Sequence, residues 1–217
     1  MLQESEVPVV PGSWIYDPQA TRFNYSPERA LQLLYNAGWA DQDQNGVLEK
    51  EINGKMRTLS LELLTYDRGI TSTRSEAAET IARQLRLVGF DVTVVSSTAG
   101  DVQKAMDNGK YDLALCAFEL DVMPNLTFLL HSDGKGNFAR YQSPEMNGYL
   151  HDAYIAADAD ALVSAMSNLQ IQVVEDLPVL GLFFRAGVLI SMESVGGLTG
   201  TRQYDVLRGM ATITPTN

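Results

Sequence analysis

The spacing of apolar positions divides this chain into helical and extended stretches joined by short turns. In residues 26–39, Ala30, Leu31, Leu33, Leu34 and Ala37 recur at helical spacing on an otherwise polar segment. Ser26 stands where an N-cap accepts a backbone N–H, and Pro27 takes the first helical position, where its missing N–H costs nothing. Glu28 sets negative charge at the positive end of the helix dipole. Gly38 suits a left-handed C-terminal stop, and Trp39 is expected to pack beside the helix end. The period then changes. Leu59, Leu61 and Leu63 alternate with Thr58, Ser60 and Glu62, which predicts a half-covered strand over 56–66. Helical spacing returns over 74–88, with Ala77, Ile81, Leu85 and Val88 on one face and Gly89 as the stop. Residues 90–95 read as a strand, and 100–107 as a short helix closed by Asn108 and Gly109. The run 113–118 is continuously apolar, as expected of a central strand covered on both faces.

Strand, helix, strand, helix, strand with short joins predicts an α/β fold: three layers, a mostly parallel sheet and helices on both faces. After it the pattern loosens. Residues 124–131 read as a short helix and 132–136 as a mobile loop. A second Ser-Pro-Glu cap at Ser143 opens a helix to about Ala156. Asp158 or Asp160 caps another, with Leu162, Ala165, Met166, Leu169 and Val173 on its stripe. Residues 178–184 are expected to return as a strand, with 188–190 as a further one. Pro8, Pro11, Gly12 and Pro18 punctuate residues 1–24, which read as an extended lead-in anchored by Trp14, Ile15 and Tyr16. Residues 196–217 read as a poorly anchored tail.

Composition narrows the function. The 217 residues are 45% hydrophobic, enough for a real core, and carry a net charge of −11. Phosphate-backbone partners require clustered Lys and Arg, so nucleic acid is excluded. No stretch approaches the ~20 apolar residues of a membrane helix. A single cysteine forms no internal disulfide, and Cys116, inside an apolar run, reads as a small buried hydrophobe. His131 and His151 have no Ser or Cys partner at a recognisable catalytic spacing, and no glycine-rich phosphate loop follows a strand. The chain is therefore expected not to be an enzyme.

Three segments carry a family resemblance: Tyr25-Ser-Pro-Glu-Arg-Ala-Leu-Gln-Leu-Leu-Tyr-Asn-Ala-Gly-Trp39 with the Asp-rich turn and Asn53-Gly54-Lys55 behind it, Tyr111-Asp-Leu-Ala-Leu-Cys-Ala-Phe118, and Gly136-Asn-Phe-Ala-Arg-Tyr-Gln-Ser-Pro-Glu-Met-Asn147. In this order they resemble the extracytoplasmic solute-binding proteins of ABC importers, in the peptide/nickel class known as family 5. The likeness runs from about Trp14 to about Val195. Members have two lobes, so the resemblance implies that this chain is the second lobe: a lead-in at 1–24 from the missing first lobe, a solute-binding body at 25–195, and a tail at 196–217 returning to the first lobe. It implies hinges near 15–20 and 190–200. It also implies a peptide or other small solute, importer membrane subunits as partners, and an extracytoplasmic location by way of a signal and a lipid anchor. The N-terminus here lacks the basic and apolar regions of a signal peptide, as expected of an excised lobe. Two other readings stand beside it, a flavodoxin-like regulatory or interaction domain and, further off, a hydrolase fragment.

Ligands of open parallel sheets bind beyond the C-terminal ends of the strands. That rule singles out Tyr66 with Asp67 and Arg68, the run Cys116, Ala117, Phe118, Glu119 and Asp121, and Phe184 with Arg185. An extended ligand would bond to backbone near 116–118, with Glu119 or Asp121 drawing a cationic end. Asn137, Arg140 and Tyr141 join the candidates through the third matching segment. Asp41, Asp43, Asn45 and Gly46 match positions 1, 3, 5 and 6 of a calcium loop, but position 12 is Ile52, with Glu49 and Glu51 out of register. The turn reads as a solvated, self-capped turn or as a partial Ca2+ site; no other cofactor is indicated.

Overall fold

The computed structural model describes residues 2–20, 23–66, 73–120, 125–185, 195–196 and 214–215. The chain divides into two compact units, Phe23–Glu119 and Met1–Arg22 with Leu120–Asn217. Strand β1 (Leu2–Glu4) opens the chain, and helix α1 (Pro27–Asn36) begins the first-named unit. Ser26 Oγ accepts the Arg29 N–H at 3.2 Å, the cap that its place before Pro27 predicts. At the other end Trp39 N–H donates to Leu34 O and Gly38 N–H to Tyr35 O, with Gly38 at φ +88°. This is a Schellman turn. Lys50 Nζ reaches Ala37 O at 2.6 Å, placing positive charge at the negative end of the dipole.

The stretch read as one strand over 56–66 is two. Strands β2 (Glu49–Ile52) and β3 (Lys55–Thr58) form an antiparallel hairpin whose turn residues Asn53 and Gly54 both have positive φ. Leu59 N–H bonds to Leu48 O, and β4 (Ser60–Tyr66) begins after it. The sequence concealed β2 because Glu49-Lys50-Glu51 interrupts any apolar alternation, and β3 is exposed along its length. Helix α2 (Thr73–Arg86), strand β5 (Asp91–Ser97), helix α3 (Ala99–Asp107) and strand β6 (Leu113–Ala114) follow. The three strands β5–β4–β6 form a parallel sheet in that order.

The chain steps from β4 outward to β5 and then back across β4 to β6. Right-handed crossovers in opposite directions put α2 and α3 on opposite faces, which makes the three layers. Leu63 and Val92 bury against Ala78 and Ala82 of α2. The α2 stripe is thus centred on Ala78 and Ala82, one residue round from Ala77. On α3, Val102 and Met106 are buried. One expectation fails here. The apolar run 113–118 is not the central strand; β4 is. Only Leu113 and Ala114 pair with β4, and Leu115 N–H to Leu64 O is the last sheet bond. The run lies at the sheet edge among the described residues, so Leu113 and Phe118 remain 36% and 38% exposed.

The other unit holds α4 (Thr127–Leu130), α5 (Pro144–Ile155), α6 (Ala159–Asp176) and β7 (Phe183–Arg185). Ser143 caps α5 through the Met146 N–H, and Asp158, not Asp160, caps α6 through the Ala161 N–H. Leu169, Val173 and Met166 of α6 pack with Leu130, Met146 and Leu150. The entry segment belongs to this core: Val7, Val9 and Ile15 are at most 2% exposed, whereas Trp14 is 52% exposed. Gln170 of α6, fully buried, donates to Ile15 O at 2.9 Å and accepts the Asp17 N–H at 3.1 Å. Ser167 Oγ donates to the Asp17 carboxylate. Residues 15–17 are thereby tied to α6, which leaves them little of the freedom expected of a hinge.

The return strand is shorter than the sequence suggests. Among the described residues only Phe183–Arg185 of this stretch is a strand, and it pairs antiparallel with β1 rather than joining the parallel sheet. The chain approaches so closely here that a Cβ on Gly181 would lie 2.4 Å from Ser5 O. The loop 132–136 is held rather than mobile. Gly134 N–H bonds to His131 O, Gly136 N–H to Phe128 O, and Asn147 fixes Ser132 from α5. Strands β8 (Val195–Gly196) and β9 (Thr214–Pro215) pair antiparallel, and the strand expected at 188–190 lies outside the described residues.

Candidate functional site

Residue Tyr66 ends the central strand β4, buried at 8% exposure. Its carbonyl accepts Arg74 Nη1 at 2.7 Å, and the Arg74 guanidinium carbon stands 4.2 Å from the Tyr66 ring centroid. Two residues past the last β4–β6 pair, Leu64 and Ala114, the chain reaches Cys116, which feels the Arg74 charge. Burial pushes the Cys116 thiol up, and the Arg74 charge pulls it partly back. A thiol raised in this way stays protonated and is a poor nucleophile. Tyr66, Cys116 and Arg74 are therefore brought together at the C-terminal ends of β4 and β6, the side on which open α/β sheets take ligands.

Arg74 was not among the sequence candidates. It does carry a local signal: a cation in the first turn of a helix opposes the dipole, so its presence in α2 calls for a local reason. Ala117, Phe118 and Glu119 follow Cys116 along the exposed edge. Asp67, Arg68 and Asp121 lie outside the described residues. Phe184 and Arg185 are in β7, in the other unit.

Asn137 and Arg140 also belong to the other unit. The Asn137 amide is engaged by backbone: Nδ2 donates to Tyr141 O at 2.8 Å and His131 O at 3.1 Å, and Oδ1 accepts the Tyr141 N–H at 2.9 Å. Asn137 thus organises the loop, while Arg140 is exposed with φ +54°. The Tyr141 hydroxyl donates to the Asp176 carboxylate. Burial, with that acid next to it, pushes the phenol up to about 12.

At the acidic turn, Asp41, Asp43 and Glu49 each bring a carboxylate oxygen within 4.8 Å of the others. Among the described residues this is the one group of three acidic or metal-ligating side chains placed to share a cation. The same oxygens organise the turn. Asp41 accepts the Asn45 and Gly46 N–H groups, Asp43 accepts the Asn45 N–H, and buried Glu49 accepts the Gln42 N–H at 3.0 Å. Asn45 caps Val47 N–H through its own side chain.

Comparison with known proteins extends this picture. The family described as "Bacterial extracellular solute-binding proteins, family 5 Middle" matches residues 2–140. The oligopeptide-binding protein AppA of Bacillus subtilis is 26% identical over 198 residues, which is 88% of this chain and 35% of that protein. Its structure in complex with a nonapeptide superimposes at a TM-score of 0.73, with 23% identity, over 84% of this chain and 37% of that one. A periplasmic oligopeptide-binding protein of Thermotoga maritima with bound mannohexaose gives 0.73 at 22% identity, over 85% and 37% of the two chains. NikZ of Campylobacter jejuni in complex with Ni(L-His) gives 0.70 at 21% identity, over 84% and 36%. These structures share the fold, and in each this chain spans little more than a third of the neighbour's length.

Proposed function

Because the chain belongs to the bacterial extracellular solute-binding proteins of family 5, we propose that it is one lobe of a clamp that closes on a small solute and presents it to the membrane subunits of an ABC importer. The observation that carries this reading is the parallel β5–β4–β6 sheet with Tyr66, Arg74 and Cys116 at its C-terminal strand ends. The similarity to AppA makes a peptide the first solute to test, while the mannohexaose and nickel–histidine neighbours keep sugars and metal chelates in the panel. Closure would bring a second lobe, supplied by the rest of the protein, over these strand ends. The lobe works outside the cytoplasm, on a full-length protein held at the membrane by a lipid anchor, and performs no catalysis. A weak Ca2+ site formed by Asp41, Asp43, Asn45 and Glu49 is part of the same reading, supported by the converging carboxylates of Asp41, Asp43 and Glu49.

The test is calorimetric titration of this chain within its full reading frame against alanine peptides of two to five residues, mannohexaose and nickel–histidine. Saturable binding of one class is expected. Silence from all three classes overturns the proposal.

A further inference from the structure

We propose that the joint between α5 and α6 is a docking surface for a basic protein partner, a basic face of the importer's membrane subunits; this rests on the reading above and names the corner of the lobe that meets them. The apolar stripe of α5 runs Met146, Leu150, Tyr154 at intervals of four residues. Met146 and Leu150 are buried in the core that α6 covers, but Tyr154, one turn further on, is 85% exposed and Ile155 beside it 58%. Helix α5 stops at Ile155, Ala156 leaves helical backbone at ψ 123°, and Asp158 starts α6. The stripe thus outruns its cover and ends as an apolar knob at a helix corner.

Charge selects the occupant. Asp152 precedes the knob by two residues, Asp158 and Asp160 follow it, and all three are exposed. The sequence holds no Lys or Arg between Arg140 and Arg185, so no neighbour along the chain offsets them. The net charge of −11 carries the same sign beyond the corner. A second copy of this chain, or an anionic lipid surface, is therefore repelled at short and long range, whereas a basic protein surface is drawn at both. An exposed tyrosine with an aliphatic neighbour inside a charged rim is also how interface hot spots are built: the ring supplies rigid apolar area, and the rim steers approach. The corner belongs to a different unit from Tyr66 and Arg74, so substitutions there separate docking from solute binding.

The test is binding of the full-reading-frame protein to its co-encoded importer membrane subunits, held in phosphatidylcholine nanodiscs, by interferometry at low and high salt. The variants are Tyr154→Ala, the pair Asp152→Asn with Asp160→Asn, and Glu79→Gln on the exposed face of α2 as a control; Asp158 is spared because it caps α6. Tyr154→Ala is expected to weaken docking about tenfold or more through faster dissociation. The Asp pair is expected to slow association and flatten its salt dependence, while Glu79→Gln changes neither. Solute affinity by calorimetry stays at the wild-type value in all of them. Docking by Tyr154→Ala and the Asp pair as tight as wild type overturns this surface and leaves the importer reading standing. A wild-type dimer that Tyr154→Ala dissolves gives the corner to a second copy and overturns it too. Absence of any wild-type docking removes the importer reading and this proposal together.

Discussion

Replacing Gln170 by leucine should release the entry segment from helix α6. The wild-type amide is fully buried, donates to Ile15 O at 2.9 Å and Met166 O at 2.8 Å, and accepts the Asp17 N–H at 3.1 Å. Leucine keeps most of the volume and removes all three bonds. Met166 O retains its helical partner, so two groups are orphaned, Ile15 O and Asp17 N–H. Each unsatisfied buried group costs roughly 1–3 kcal/mol. The added apolar surface returns about 1–2 kcal/mol, and the Asp17 N–H is only part-buried, so central values give a net loss of about 2 kcal/mol. Urea unfolding followed by far-ultraviolet circular dichroism measures the total, and hydrogen exchange at the Asp17 amide reports the local release. Ser167→Ala, which removes only the hydroxyl bond to Asp17, should cost about 1 kcal/mol or less. A leucine variant within 0.5 kcal/mol of wild type, with Asp17 exchange unchanged, would show that the entry segment is held by packing of Val7, Val9 and Ile15 alone.

Two further outcomes follow from the titrating and acidic groups. The Tyr141 phenol is pushed up to about 12 in the folded chain, above the ordinary value of about 10. The folded state therefore holds this proton more tightly, and the stabilisation is complete below pH ~10 and lost as pH rises from there through the folded value. Tyr141→Phe should flatten that alkaline fall in melting temperature, and an unchanged profile would count against the Asp176 contact. At the acidic turn, Ile52 stands where a calcium loop needs a bidentate acid, which would hold any calcium affinity to about 10⁻³ M, the weak end of extracellular sites. For a 1 mM site, 10 mM calcium then adds no more than about 1.4 kcal/mol. A melting shift beyond a few degrees, or one that persists in Asp41→Asn, would refute this account of the turn.

What the sequence determined by itself was local. Ser26 and Ser143 cap their helices because a cap needs only the next three residues, whereas the choice of Asp158 over Asp160 came from the structure. The β4–α2–β5–α3–β6 succession was legible from changes of period alone, and with it the parallel sheet. Tertiary structure decided which strand lies in the middle, since continuous apolarity at 113–118 describes side chains and carries no record of how many neighbours the backbone acquires. It also decided that Val7, Val9 and Ile15 enter a core built by α6, because the partner of that proline-punctuated segment is Gln170, some 150 residues away in the chain. Arg74 became visible only when folding laid it on Tyr66. A guanidinium acquires its meaning from the ring, the carbonyl and the strand ends around it, and those are assembled by long-range packing rather than by neighbours in sequence.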